Sequence, residues 1–276
     1  LHRLRLSALF WACGVSVFIA PEFMPRGIQT TYVIGLPVLF LVSAVLLRRN
    51  KHLARYFQVF FAFSVASAAY AHYLLLGVLF SIPIGSIPST INGMVLHKLL
   101  STLLVVVPIV LLTGISGKDM ASIYLKKGKL RLGVIIGFAT FLLFLVTSVE
   151  TSMLLFGGRN LSFERVASWS PWILAFVLAN GLREELWFRG LFLRKYESLL
   201  GADSSNLVQA LVFPMAHLGA GYTTSLPVFL VIVFLLGLAF GAVMQKTDSV
   251  LGSILFHAGT DVPVVLGYFS NPLVTP

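Results

Sequence analysis

Nine apolar stretches follow one another between residues 4 and 269, each roughly 17–25 residues long, the length an α-helix needs to cross a bilayer. They cover 4–20, 31–47, 56–80, 93–112, 132–156, 171–192, 206–222, 224–245 and 250–269. Charged residues are 11% of the chain, against about 25% in a soluble domain, and hydrophobic residues are 58%. So little polar surface cannot cover the molecule in water. A soluble enzyme, a disordered chain and a nucleic-acid-binding module are thereby excluded. The runs are continuous and do not alternate, which argues against an outer-membrane barrel. The expected fold is an all-α polytopic membrane protein with about eight or nine transmembrane helices. The seventh stretch carries Pro214 and ends near Gly219 and Gly221, so it is expected to bend or to cross only in part. The first, behind Arg3 and Arg5, has no small-residue cleavage site and reads as a retained span.

The basic residues set an orientation for this map. With the N-terminus inside, the cytoplasmic face holds Arg3, Arg5, Arg48, Arg49, Lys51, Arg55, Lys118, Lys126, Lys127, Lys129, Arg131, Arg194, Lys195 and Lys246, 14 in all. The outer face holds 3, Arg26, Arg159 and Arg165. This split predicts a multi-pass protein of the cell (inner) membrane with its N-terminus in the cytoplasm and its C-terminus outside. It also accounts for the net charge of +10 without a nucleic-acid partner. The single cysteine, Cys13, allows no disulfide within the chain and no Cys-based metal site.

Ionisable groups inside apolar stretches are costly, and each is a functional candidate. Lys98 and Glu150 lie near the outer ends of their stretches, where they can snorkel to the interface. His72 and His97 read as packing or hydrogen-bonding histidines. The run from Gly181 to Gly190 is different, with two adjacent carboxylates and two arginines in one span. On a helix Glu185 and Arg189 are i and i+4, in ion-pairing geometry, while Glu184 is rotated by about 100°. Arg189 thus neutralises Glu185 and leaves Glu184 for other work, as general-base chemistry requires. A buried ion-pair cluster without chemistry is the other reading of the same residues.

Depth brings further groups to Glu184. At about 1.5 Å per residue, Glu184 lies about 15 Å from the cytoplasmic end of its span, His257 about 14 Å and His217 about 20 Å. Asp261 follows His257 by one helical turn. There is no Gly-x-Ser-x-Gly elbow and no His-Glu-x-x-His helix, so nucleophilic serine or cysteine chemistry has little support. Activation of a water by Glu184 with His217, and stabilisation of an oxyanion by His257, fit the set without a cofactor. Zinc held by the two histidines and a carboxylate is the competing version.

Glu-Glu-x-x-x-Arg at Glu184, Glu185 and Arg189, Phe-x-x-x-His at Phe213 and His217, and His-x-x-x-Asp at His257 and Asp261 closely resemble the three motifs of the CPBP family. That family includes CAAX prenyl endopeptidases of the Rce type and bacterial Abi, or bacteriocin-immunity, proteins. The resemblance covers roughly residues 171–267. It implies an intramembrane endopeptidase with a conical cavity open to the cytosol. It further implies that Glu184 and His217 activate the hydrolytic water, that His257 and the residue at 261 form the oxyanion site, and that Glu185 and Arg189 hold the helix. Prenyl proteases commonly carry Asn where this chain has Asp261.

The sequence thus divides into N-terminal transmembrane helices of unassigned role, 1–170, and a CPBP-like catalytic core, 171–276. The expected substrate is a membrane-associated peptide or protein rather than a prenylated one, since prokaryotes, where this chain is placed, generally lack protein prenylation. The lipid bilayer is the other partner; the sequence assigns no oligomeric state. Two other functional classes share these residues: a non-catalytic immunity or scaffold protein, and a proton-coupled transporter. Joint retention of Glu184, His217 and His257 favours catalysis over the first. The lack of paired broken helices disfavours the second.

Overall fold

Long apolar runs in a low-charge chain must satisfy their backbone internally, and here they do so as helices. A computed structural model describes residues 2–79, 90–272 and 274. The described residues form an all-helical protein without strands. The helices are α1 (His2–Phe18), α2 (Arg26–Arg49), α3 (Phe57–Leu79), α4 (Ile91–Ile115), α5 (Leu130–Val146), α6 (Ser148–Leu155), α7 (Phe163–Glu184), α8 (Leu193–Leu200), α9 (Ala202–Met215), α10 (Leu226–Thr247) and α11 (Val250–Phe269). Residue 80, the last of the expected third span, lies outside the described residues.

Five of these segments are long and apolar enough to cross a membrane: Gly27–Arg49, Ala54–Leu76, Ile91–Ile115, Leu226–Thr247 and Val250–Phe269. The pair α5 and α6 makes a sixth if a 62° bend is counted within one span. The expectation of eight or nine is not reached by this measure. α1 has 17 residues and α9 has 14, both short, while the last turns of α7 carry Asn180, Arg183 and Glu184. The fifth span expected over 132–156 is found as the bent pair α5 and α6. Thr147 and Ser148 turn their hydroxyls back onto the carbonyls of Leu143 and Leu145, and the helix breaks there. The seventh stretch does stop early: α9 ends at Met215, just after Pro214, and irregular chain follows to Ser225.

Where helices meet, small residues let them approach. Gly133 and Gly137 of α5 face Gly252 of α11. A Cβ at Gly259 would stand 2.6 Å from the Cα of Phe141, so the two helices touch backbone to backbone. The outward faces are apolar instead: Val38, Leu39 and Leu46 on α2, Leu103 and Leu111 on α4, and Phe138 and Leu143 on α5 are all more than half exposed. In water such stripes would be an aggregation hazard; against lipid tails they are a solvent match.

Two sets of contacts fix the ends of the bundle. At one face the carboxylate of Asp248, between α10 and α11, pairs with Lys126 and Arg194. Beside it Lys129 N–H donates to the Thr247 carbonyl at 2.7 Å, and Val250 N–H to the Tyr124 carbonyl at 3.1 Å. At the other face Thr224 N–H donates to the Leu155 carbonyl at 2.9 Å, and Arg159 N–H to the Ser270 hydroxyl at 3.1 Å. The first face gathers the 114–131, 192–202 and 247–250 connections; the second gathers 156–162, 216–225 and the end of α11.

Candidate active site

The sequence Glu184–Gly190 does not continue α7 as a regular α-helix. Glu185–Gly190 is a π-helical turn, in which Leu191 N–H reaches the Leu186 carbonyl five residues back. Such wide turns are frequent at functional sites because they re-aim side chains inward. All six residues of the turn are buried. The turn sets Glu184 and Glu185 on two sides of one imidazole, that of His257.

Glu184 is 7% exposed. Its Oε1 accepts from Arg183 Nη2 at 2.9 Å. Its Oε2 has no hydrogen bond and faces two imidazole nitrogens, His257 Nε2 at 3.6 Å and His217 Nε2 at 4.0 Å. His217 lies just beyond α9, and its Nδ1 is 2.9 Å from the Phe213 carbonyl. A carbonyl can only accept, so Nδ1 carries the proton and Nε2 is the nitrogen turned toward Glu184. Phe213, the first residue of the Phe-x-x-x-His motif, packs edge-on against both His217 and His257.

Glu185 and Arg189 form the i, i+4 pair that their spacing predicts, at 2.6 Å, and both are fully buried. The Arg189 guanidinium also lies 4.2 Å above the Phe213 ring. A Cβ at Gly237 would come within 3.3 Å of Arg189 Nη2, so a glycine there makes room for the cation. Glu185 does more than hold the helix. Its Oε1 also accepts from His257 Nδ1 at 2.7 Å, and its Oε2 accepts from the Ser253 hydroxyl. His257 is further fixed by stacking on Phe240, with ring centroids 4.6 Å apart.

Asp261 lies at ion-pair distance from His257 and takes its hydrogen bond from another residue. The i+4 relation brings its Oδ1 to 3.7 Å from His257 Nε2, too long for a hydrogen bond. Its Oδ2 instead accepts from Asn180 Nδ2 at 2.8 Å. The oxygen of the same amide accepts from Lys98 Nζ at 2.9 Å and from Arg183 Nη2 at 3.0 Å. Lys98 therefore does not snorkel to the interface; it points into the site from α4 and lies 4.7 Å from the Phe176 ring centre. Asn180 was not legible as a site residue, because an uncharged amide carries no penalty conspicuous enough to mark it. His72 hydrogen-bonds the Leu104 carbonyl at 2.6 Å, in keeping with a hydrogen-bonding histidine, and Glu150 is exposed on α6.

Glu184, His217, His257 and Asp261 line one cavity of about 1040 Å³, together with His97, Lys98, Asn180 and Arg183. Glu185 and Arg189 lie behind its wall. Among the described residues no group of three or more His, Cys, Asp and Glu is arranged to hold a metal ion. The arrangement offers a carboxylate oxygen without a hydrogen bond, an imidazole beside it, and a second imidazole held by its own carboxylate. Chemically that is a proton acceptor, a proton relay and a positioned donor.

Residues 166–263 match the family model of Rce1-like proteins, described as type II CAAX prenyl endopeptidase Rce1-like. The matched segment contains all three motifs, and the match bears out the resemblance to the CPBP family. Comparisons with curated proteins and with solved structures gave no significant match.

Proposed function

We propose, on the match of residues 166–263 to the Rce1-like family model, that this chain is an intramembrane endopeptidase of the glutamate type, acting on a membrane-associated peptide or protein. The observation that carries the proposal is the free Oε2 of Glu184, directed between His217 Nε2 and His257 Nε2 at the buried end of the cavity.

In the proposed reaction a water lodges between Glu184 and His217. Glu184 takes its proton as the water oxygen bonds to the scissile carbonyl carbon. The resulting oxyanion is stabilised by Nε2–H of His257 in its doubly protonated form, whose Nδ1–H is held by Glu185. The carbon–nitrogen bond then breaks, and the proton gained by Glu184 passes to the leaving amine, directly or through His217. No metal takes part. Lys98, Asn180 and Arg183 act as positioning residues through their links to Asp261 and Glu184.

In the proposed topology α1, α7 and α9 cross together with the five long helices and the α5–α6 pair, giving nine crossings of the cell (inner) membrane with the N-terminus cytoplasmic. The test of the activity is incubation of the detergent-purified protein with a library of membrane peptides. Products formed by the wild type and absent with Glu184→Ala support it; identical product sets, or none from either, contradict it.

A further inference from the structure

The cavity mouth and the basic residues lie at opposite faces of the bundle. From the buried floor at Glu184 and His257, the lining runs past Asp261 and Tyr268 to Gly157, Arg159, Gly221 and Thr224, which are exposed. All connecting segments that contribute to the lining are those of the second face described above, 156–162, 216–225 and the chain just after α11. Among the described residues, none of the connections at 114–131, 192–202 or 247–250 lines it.

Toward the basic face the floor is closed. Glu185, Leu186, Arg189, Phe192, Leu193 and Met244 are fully buried there. One cavity on that side, beside Phe57, Thr113, Lys118 and Lys195, holds about 30 Å³, room for a water and not for a peptide. A groove of about 920 Å³ runs from Arg3 and Ser204 to Pro214 and Leu218 along α1, α9 and α10, and none of Glu184, His217, His257 and Asp261 lines it.

The N-terminus and the 48–57 segment join the basic face, with Arg3 beside Ser204 and Phe57 beside Lys118 and Lys195, so the segments of that face contain 14 of the 20 lysines and arginines. The sequence map gives the opposite side 3. All the connections are short, the regime in which this bias fixes which side stays in the cytoplasm. We infer that the site takes its substrate from the non-cytoplasmic side, and that the substrate is an exported peptide or the outward-facing segment of a membrane protein. The inference rests on the proteolytic reading for the word substrate. It replaces the cytosol-open cavity that family resemblance implies. From Phe269 at the mouth to His257 is 12 residues of helix, about 18 Å. An extended peptide spans that depth with about five or six residues. A free end or an unfolded loop of that length reaches Glu184; a folded domain stays outside.

The test uses single cysteines in a Cys13→Ala background, labelled with a charged, membrane-impermeant methanethiosulfonate in spheroplasts and in inverted vesicles. Thr223→Cys sits at the mouth, Val264→Cys on the cavity wall and Lys127→Cys on the basic face. Thr223→Cys and Val264→Cys should react in spheroplasts, and Lys127→Cys only in inverted vesicles. Should Val264→Cys fail to accumulate, Thr223→Cys carries the same decision. Protection of Thr223→Cys in spheroplasts overturns the inference, as does reaction of Lys127→Cys from the outside. Labelling involves no turnover, so an inactive protein leaves this result standing, and an active one with reversed labelling rejects only the side of entry.

Discussion

Glu185 accepts a 2.7 Å hydrogen bond from Nδ1 of His257 with the same oxygen that holds Arg189 at 2.6 Å. One carboxylate thus neutralises a fully buried cation and orients the imidazole that faces Glu184. Arg189→Ala should therefore lower stability sharply, by about 3–5 kcal/mol, because it leaves a buried charge uncompensated. Glu185→Gln should lose activity as well as stability, since its amide holds neither Arg189 nor His257 as a carboxylate does. Thermal melting beside peptide cleavage separates the two. Normal activity in Glu185→Gln would show that His257 needs no anchor.

Asp261 accepts a hydrogen bond from Asn180 and comes within 3.7 Å of His257. In Asp261→Asn the side-chain oxygen can still accept from Asn180 Nδ2, so cleavage should remain measurable. Asp261→Leu strands that donor and removes a counter-charge near Lys98. Its turnover should fall by about 10²-fold or more, the scale of disabling one group of an oxyanion site. A fully active Asp261→Leu protein would remove this position from the machinery.

Asp248 pairs with Lys126 and Arg194 outside the spanning segments. Burial pushes its carboxyl up, but hydrogen bonds and charge from Lys126 and Arg194 outweigh this and hold it below the usual aspartate value. A depressed native value means that the unfolded chain binds the proton more readily. The contribution is complete above the unfolded value of about 3.9 and is lost as pH falls through the lower native one. Asp248 also has a left-handed backbone, φ 56°, which asparagine tolerates, so Asp248→Asn removes the charge alone. Melting temperatures of wild type and Asp248→Asn should differ at neutral pH and converge once the medium is more acidic than the native value. A gap that does not change with pH would show that the carboxylate charge is not what fastens this face.

Cleavage should survive exhaustive chelation, and the purified protein should lack stoichiometric zinc. The carboxylate nearest both histidines, Glu184, is already engaged by Arg183, which disfavours a cation there. One zinc per chain by elemental analysis, lost in His217→Ala and His257→Ala, would move the site to metallopeptidase chemistry.

Much of the site is legible in the sequence because charge in an apolar span is conspicuous. Glu184, Glu185, Arg189, His217, His257 and Asp261 stand out, and i+4 spacing correctly pairs Glu185 with Arg189. Spacing along one helix brings Asp261 within 3.7 Å of His257 but does not reveal the hydrogen-bonding anchor of His257, Glu185 of the π-helical turn packed against α11. The π-helical turn itself leaves no sign in the residue pattern, since apolar periodicity does not separate it from the helix it extends. Lys98 is misread because depth from a helix end does not say which way a long side chain points. The side on which the cavity opens is likewise a property of packing: the motifs place the groups, and only the folded loops show the mouth.

In the proposed reaction Glu184 is the base. The most direct measurement is the cleavage rate of one identified peptide by wild type and Glu184→Gln, with melting temperatures taken on the same preparations. Glutamine keeps an oxygen for Arg183 Nη2, so folding should be unchanged. The rate should fall by about 10²–10⁴-fold, the usual contribution of a positioned general base. Cleavage by Glu184→Gln at the wild-type rate would contradict the assignment.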